Sequence, residues 1–281
     1  MKLSRITTRT SPAIVLLGLI IIMSACANKK AEKSHTLMTS IAPLTYMVER
    51  IAGEKWDVSP LVPAGYSPED YTPTAARMAS LSSARMVFIA GNLPVETTWI
   101  MRAAKEVKTL ECVNTSTGMK QATFDPHTWL SPRSAKVIYG NICAALCRID
   151  STNAPIYRKR YTEAVGETDS LDMAIRKILK NAPSRAFVIV HPALTMFAEE
   201  YGLTQLAIEK DGKEPTPRSM EALIQQARKQ GAKVVLLQKE FAESAAQVVA
   251  RQIDARVVEI DPLSSDWPAQ MIHIAKAIAN G

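Results

Sequence analysis

Two histidines and two carboxylates stand where a predicted strand or loop ends, the place at which open α/β sheets bind ligands. His191 follows the apolar run A-F-V-I-V, and Asp261 follows R-V-V-E-I. Glu69 lies in the loop P-A-G-Y-S-P-E-D-Y, and His127 lies in the loop F-D-P-H-T-W-L-S-P. Two imidazoles and two carboxylates would enclose a divalent cation and neutralise its charge. These residue types therefore predict a cation site, provided that the fold brings them together.

Each of these residues also has an ordinary structural interpretation. A single histidine after a strand is often a hydrogen-bonded structural residue, and an Asp-Pro pair is often a turn. Glu69 could be a solvated loop residue, and Asp70 beside it is an equally good carboxylate. Gln238 and Glu240, in the segment L-L-Q-K-E-F at another strand end, are predicted to lie in a solvated loop. Spacing alone leaves these alternatives open.

The elements that must position these residues alternate between strand and helix. Strands are predicted at 36–40, 56–61, 86–89 and 109–113, and again at 186–190, 205–208, 234–237 and 256–260. Helices are predicted at 43–52, 74–82, 95–107, 134–147, 193–201, 217–230, 244–253 and 267–279. This alternation predicts an α/β fold with two lobes, each a mostly parallel sheet flanked by helices.

Residues 154–180 lie between the two sets and have helical spacing throughout. Asn153 is a plausible N-cap and Pro155 falls in the first turn, while Asn181 and Pro183 end the pattern. A helix of this length would reach about 40 Å. It could be a helical arm or two shorter helices, or one backbone helix joining an N-terminal lobe at 36–153 to a C-terminal lobe at 181–281. The last interpretation places the metal cleft between the lobes.

The N-terminus has the pattern of an export signal. Lys2, Arg5 and Arg9 precede an apolar run over 12–23, which Cys26 follows after two small residues. The run would span roughly 18 Å as a helix, too short for a membrane of roughly 30 Å. We therefore predict a signal peptide over 1–25, a lipidated Cys26 and a tether over 26–35; an incidental cysteine after an ordinary signal is the alternative.

Composition excludes several classes of protein. The chain has 281 residues, of which 47% are hydrophobic and 22% charged, and four cysteines. It is therefore not a disordered chain, a disulfide-rich miniprotein or a polytopic membrane protein. The net charge of +7 falls to +4 without residues 1–25, and no basic segment is interleaved with aromatic residues. A nucleic-acid partner is therefore not expected.

Seven segments together resemble a known family. They are S-I-A-P-L-T-Y-M-V-E-R-I-A-G, V-P-A-G-Y-S-P-E-D-Y-T-P-T, A-R-M-V-F-I-A-G-N-L-P-V-E, D-P-H-T-W-L-S-P, V-H-P-A-L-T-M-F-A-E-E-Y-G-L, G-K-E-P-T-P and V-E-I-D-P-L-S-S-D-W. In this order they resemble the zinc and manganese substrate-binding lipoproteins of bacterial ABC importers. The resemblance covers nearly the whole chain after the predicted signal. It implies two α/β lobes joined by a long backbone helix, with the metal held in the cleft.

The resemblance also implies roles for the four residues. His127 matches the second ligand of the family, and His191 matches the third, which is histidine in zinc-type members and usually glutamate in manganese-type members. Asp261 falls at the C-terminal aspartate ligand. The departure is at the first ligand, where Glu69 in P-E-D-Y stands in place of the usual histidine. Carboxylate oxygen also binds zinc, but two carboxylates suit manganese or iron as well.

The expected function is capture of one divalent cation by Glu69, His127, His191 and Asp261 and its delivery to an ABC permease. Zinc is the favoured cargo, with manganese or iron as alternatives, and no catalytic cofactor or enzymatic activity is expected. The protein is expected to be a monomer that is exported and lipid-anchored to a membrane, in the periplasm or at the cell surface. A metallohydrolase and a metal-free surface adhesion protein are the alternatives from other classes.

Overall fold

Two parallel four-stranded sheets, each flanked by helices, form the protein. The computed structural model describes residues 35–119, 125–209 and 215–281. The predicted signal peptide, the lipidation site Cys26 and the tether up to residue 34 lie outside the described residues. The α/β class and the parallel sheets predicted from the alternating pattern are confirmed.

The first sheet has the strand order β2-β1-β3-β4, and all its pairs are parallel. Its strands are β1 (Thr36–Thr39), β2 (Asp57–Pro60), β3 (Met86–Ile89) and β4 (Glu111–Asn114). Every residue of β3 is buried, because helices cover both faces of a parallel sheet. The carboxyl ends of all four strands therefore point to one edge.

The second sheet repeats this arrangement with the order β6-β5-β7-β8. Its strands are β5 (Ala186–Ile189), β6 (Thr204–Ala207), β7 (Val234–Gln238) and β8 (Arg256–Ile260). All three strand pairs are again parallel. The central strands β5 and β7 are fully buried and apolar except for Gln238 at the end of β7.

Nine α-helices surround the sheets in the described part of the chain. They are α1 (Ala42–Ala52), α2 (Ala75–Ser83), α3 (Met101–Glu106), α4 (Pro132–Ile149), α5 (Ala154–Leu179), α6 (Thr195–Tyr201), α7 (Pro217–Lys229), α8 (Glu243–Ile253) and α9 (Trp267–Ala279). A π-helical turn at Glu96–Ile100 leads into α3, so the predicted helix at 95–107 is two pieces. None of the helices described is long and apolar enough to cross a membrane.

The long helix α5 is continuous over 26 residues. Proline suits its first turn, where a backbone N–H would have no partner within the helix, and Arg176 and Lys177 in its last turn are favourable at the negative end of its dipole. It packs on α1 and α4, which precede it, and on α9 near the end of the chain. The prediction of one uninterrupted helix is therefore correct. This helix contacts elements from both halves of the molecule.

Apolar side chains from both sheets belong to one continuous core. Leu37 of β1, Phe187 of β5 and Met271 of α9 are fully buried members of this cluster. A second, smaller cluster lies on the other side of the second sheet and includes Val188 and Val249. The two lobes therefore share an apolar interface and do not have separate cores.

Candidate metal centre

Three of the four predicted ligands lie together at the carboxyl edges of the sheets. Glu69, His127 and His191 each offer one ligand atom, and the three atoms lie within 4.8 Å of one another. His127 Nε2 is 4.0 Å from Glu69 Oε1, and the two imidazole rings are 5.2 Å apart at an angle of 72°. This arrangement of two nitrogens and one oxygen can hold one transition-metal ion.

A tight turn positions Glu69. The Ser67 hydroxyl accepts a hydrogen bond from the Glu69 backbone N–H at 3.2 Å, and the Ser67 carbonyl accepts one from Tyr71 at 3.1 Å. The Pro68 carbonyl accepts a hydrogen bond from Val95, which ties the turn to the body of the lobe. The Glu69 side chain is 33% exposed, so its carboxylate is open to an arriving cation.

Asp125 orients His127. Its Oδ1 accepts a hydrogen bond from the His127 backbone N–H at 2.9 Å and lies 2.7 Å from His127 Nδ1. An ionised carboxylate can only accept, so the Nδ1 atom carries the proton and Nε2 presents its lone pair. The His127 ring also lies 5.3 Å from the ring of Trp129. His127 is thus held in the tautomer that binds a metal through Nε2.

Glu209 orients His191 in the same way. Its Oε2 lies 3.0 Å from His191 Nδ1, and the ring stacks on Phe241 at 5.3 Å. The backbone of His191 exchanges hydrogen bonds with the side chain of Gln238. His191 Nε2 is buried and has no hydrogen-bond partner among the described residues. A buried lone pair without a partner is costly, and a bound cation would satisfy it.

The donors face a very small cavity of about 30 Å³. Its lining is Ser67, Pro68, Glu69, His127, Trp129, His191, Ala193, Gln238, Glu240, Phe241, Pro262 and Leu263. Sites for small organic ligands are typically about 300–1,000 Å³. The cavity therefore suits a single ion and not an organic molecule.

The structure leaves Asp261 outside the ligand group. Its Oδ2 lies 3.0 Å from Lys239 Nζ, and its Oδ1 accepts a hydrogen bond from the Leu263 backbone N–H. The parallel register that pairs Gln238 with Ile260 places Lys239 and Asp261 side by side just beyond the strand ends. Both carboxylate oxygens are therefore used within the protein.

The prediction that Gln238 and Glu240 lie in a solvated loop at the end of β7 is wrong. Gln238 is only 2% exposed and bonds to His191, while Glu240 lines the cavity. Burial raises the pKa of the Glu240 carboxyl. The pairing of β7 with β5 explains this difference, because it brings the end of β7 beside His191.

The sequence also contained signals for Asp125 and Glu209 that the prediction did not use. Metal-binding histidines usually donate their second ring proton to a carboxylate or a carbonyl. Asp125 stands two residues before His127, and Glu209 follows β6, the neighbour of β5. A search for carboxylates at neighbouring strand ends would have found Glu209 once the strand order was known.

Comparison with known proteins agrees with this geometry. Residues 37–281 match the model of the ZnuA family, the periplasmic component A of the zinc-uptake complex. The high-affinity zinc uptake system protein ZnuA of Bacillus subtilis (strain 168) is 26% identical over 284 residues, covering 90% of this chain and 88% of the relative. The manganese ABC transporter substrate-binding lipoprotein PsaA of Streptococcus mitis is 25% identical, covering 76% of each.

Solved structures are similar as well. A crystal structure of ZnuA superposes with a TM-score of 0.84 at 29% identity, covering 88% of this chain and 99% of that protein. Two lobes around a long helix are therefore shared with a protein of known structure. The family match spans both sheets and all three clustered donors.

Proposed function

Because the chain belongs to the ZnuA family of periplasmic zinc-uptake components, we propose that it captures a divalent transition-metal ion and delivers it to an ABC importer. Glu69, His127 and His191 are the proposed ligands. The observation that carries this proposal is the buried, unpartnered Nε2 of His191 facing two further donors within 4.8 Å. Zinc is the proposed cargo, since two imidazoles and one carboxylate suit it well.

Capture alone, without chemistry on an organic substrate, fits the dimensions of the site. A metallohydrolase needs room beside the metal for a substrate and a general base. The cavity of about 30 Å³ offers no such room. Asp125 and Glu209, the nearest carboxylates to the two imidazoles, are already engaged with the histidines. We therefore propose a binding and transport protein.

Anchoring and docking complete the proposed role. A lipid on Cys26 would hold the protein at a membrane, at the outer surface or in the periplasm, and the loaded protein would dock on a permease. The manganese-type relative from Streptococcus mitis is itself named a lipoprotein of an ABC transporter. Labelling of Cys26 with a radioactive fatty acid in cells, lost in Cys26→Ser, would test the anchor.

Metal titration of the purified protein tests the binding step. We expect one zinc ion per chain, bound more tightly than manganese or iron(II), as the general affinity order for nitrogen and oxygen sites implies. His127→Ala and His191→Ala should lose this binding. His273→Ala is the matched control, because His273 is exposed on α9 and its ring contacts the Glu259 carbonyl of β8. Absence of stoichiometric divalent metal at micromolar concentration would exclude the proposal.

A further inference from the structure

Two cysteines near the end of α4 bring their sulfur atoms close together. Cys143 and Cys147 are four residues apart, so they lie on the same face of the helix. Their two Sγ atoms are 3.9 Å apart. Cys143 is only 6% exposed, whereas Cys147 is half-buried. The pair therefore has one sheltered thiol and one thiol that an ion can reach from the solvent.

The surroundings of this pair offer a metal ion little besides sulfur. The Cys147 thiol donates to the Ala154 carbonyl, in the first turn of α5, at 3.8 Å. No histidine or carboxylate joins the two thiols in a group of three donors among the described residues. Burial and the neighbouring Cys147 raise the pKa of the Cys143 thiol to about 11, while the positive charge of Arg158 acts in the opposite direction. The Cys143 thiol is therefore protonated at neutral pH, and a metal ion would have to displace its proton.

A disulfide fits the geometry of this pair poorly. Residues four apart on a helix hold their Cβ atoms about 5–6 Å apart. A disulfide needs these atoms about 3.5–4.5 Å apart and the sulfur atoms about 2.05 Å apart. Closing this bond would distort the end of α4, which packs closely on α5. We therefore expect the two thiols to stay free even in an oxidising compartment.

An ion between the two sulfur atoms fits the geometry better. With metal–sulfur bonds of about 2.3 Å, two thiolates on opposite sides of one ion would lie about 4.6 Å apart, and closer if the arrangement is bent. The observed separation of 3.9 Å is near this range, and rotation of the half-buried Cys147 side chain can adjust it. Soft monovalent ions accept two thiolates as their whole coordination, whereas zinc requires two further ligands. The pair therefore favours a soft monovalent ion.

The thiol pair is separate from the metal centre. The helix α4 begins at Pro132, five residues after His127, and Cys143 lies eleven residues further along it. These eleven residues correspond to roughly 16 Å of helix. The donor types differ as well, because the metal centre offers imidazole nitrogens and a carboxylate oxygen. The two places would therefore hold different ions at the same time.

We propose that Cys143 and Cys147 form a second metal site, which binds one copper(I) ion through two thiolates. Binding forms two copper–sulfur bonds and releases two protons to the solvent, and the ion keeps its oxidation state. The bound unit carries one negative charge, and the nearby Arg158 guanidinium offsets it. The site holds a soft ion away from the metal centre, whose nitrogen and oxygen donors stay free for a divalent cargo.

Copper(I) titration without oxygen, in competition with a chromogenic copper(I) chelator, tests this site. The protein carries Cys26→Ser throughout, so that this thiol does not compete, and excess zinc is present to occupy the metal centre. We expect one copper(I) ion per chain. Cys143→Ser and Cys147→Ser should each weaken binding by at least about a hundredfold, the smaller gain expected from linking two donors.

Cys112→Ser is the matched control, because Cys112 on β4 is another half-buried free cysteine. It should leave the copper(I) affinity unchanged, and thermal unfolding of the metal-free variants should show that each is folded. A second measurement needs no variant of the pair. X-ray absorption of the copper(I)-loaded protein should show two sulfur neighbours around the ion.

Three results would overturn the proposal. The first is an unchanged copper(I) affinity in the folded double variant Cys143→Ser/Cys147→Ser. The second is a copper(I) ion surrounded by nitrogen or oxygen, which would assign it to the metal centre. The third is a disulfide between Cys143 and Cys147 in protein isolated from cells, detected by mass spectrometry. None of these results depends on whether the metal centre binds zinc, so the proposal is tested separately from the proposed function.

Discussion

At the scale of single residues, the centre depends on two carboxylates that would not touch the ion. Asp125 and Glu209 each accept from the Nδ1 atom of one histidine, so both Nε2 atoms present lone pairs to the cavity. Without these acceptors, each imidazole could rotate or adopt the other tautomer. Folding therefore orients the two rings before the ion arrives, and this preorganisation increases the affinity for the metal.

Replacing Glu209 by glutamine should weaken zinc binding by about 10–100-fold while leaving the ligands in place. The amide can donate as well as accept, so it no longer enforces a proton on His191 Nδ1. Isothermal titration with zinc, compared with the exposed variant Glu106→Gln, measures this effect. Equal affinities in the two variants would show that Glu209 does not orient His191.

The residue types of the centre were predictable, but their partners were not. Glu69, His127 and His191 stand out because each follows a strand or loop signal that the sequence displays. The Lys239–Asp261 pair depends on β7 lying beside β8, and the placement of Glu240 depends on β7 lying beside β5. Local patterns predict that strands exist, whereas the order of strands in a sheet depends on contacts between distant segments. The element pattern was therefore mostly right, and the contacts among strand ends were missed.

At the scale of elements, a network of polar side chains fixes the start of α5. Asp150 accepts from Lys55 at 2.6 Å, from the Tyr157 hydroxyl at 2.7 Å and from Asn153 at 2.9 Å. The Trp56 indole donates in turn to the Tyr157 hydroxyl. These contacts join the turn before β2 to the first turns of the long helix. Burial alone would raise the pKa of Asp150, but the donors outweigh it and lower the pKa to about 2.

This lowered pKa makes part of the stability dependent on pH. The pKa of Asp150 falls from 3.8 in the unfolded chain to about 2 in the folded protein. Its contribution to the free energy of unfolding is therefore fully present above pH 3.8. The contribution is lost as the pH falls through this range towards the folded value. We expect Asp150→Asn to lower the free energy of unfolding by about 2 kcal/mol at pH 7, and by progressively less below pH 4.

Urea unfolding at several pH values between 7 and 3 measures this difference. Asp57→Asn is the control, since Asp57 is exposed at the start of β2. A difference between the unaltered protein and Asp150→Asn that stays constant down to pH 3 would contradict the assignment of the low pKa to Asp150.

At the scale of the whole molecule, two indole groups join the lobes beside the metal centre. Trp129 donates from Nε1 to the Pro262 carbonyl, and Trp267 donates from Nε1 to the Trp129 carbonyl, both at 2.8 Å. Both side chains are buried, and the apolar core continues from one sheet to the other around them. The long helix α5 also packs on elements of both halves.

The shared core predicts that both lobes unfold in one transition. Far-UV circular dichroism and tryptophan fluorescence should give the same urea midpoint, as expected for a single cooperative unit. Trp267→Phe should shift this midpoint down and cost about 1–3 kcal/mol, because it leaves the buried Trp129 carbonyl without its donor. Two separate midpoints for the two probes in the unaltered protein would show that the lobes unfold independently.

The position of Trp129 has a consequence for observing the protein at work. Its indole lies 5.3 Å from the His127 ring, so a charge arriving on that imidazole alters the electrostatic field at a buried chromophore. The emission of this indole should therefore shift when an ion is taken up and return when it leaves. The protein carries its own optical reporter of occupancy, and rates of loading and release can be followed in real time without any attached dye.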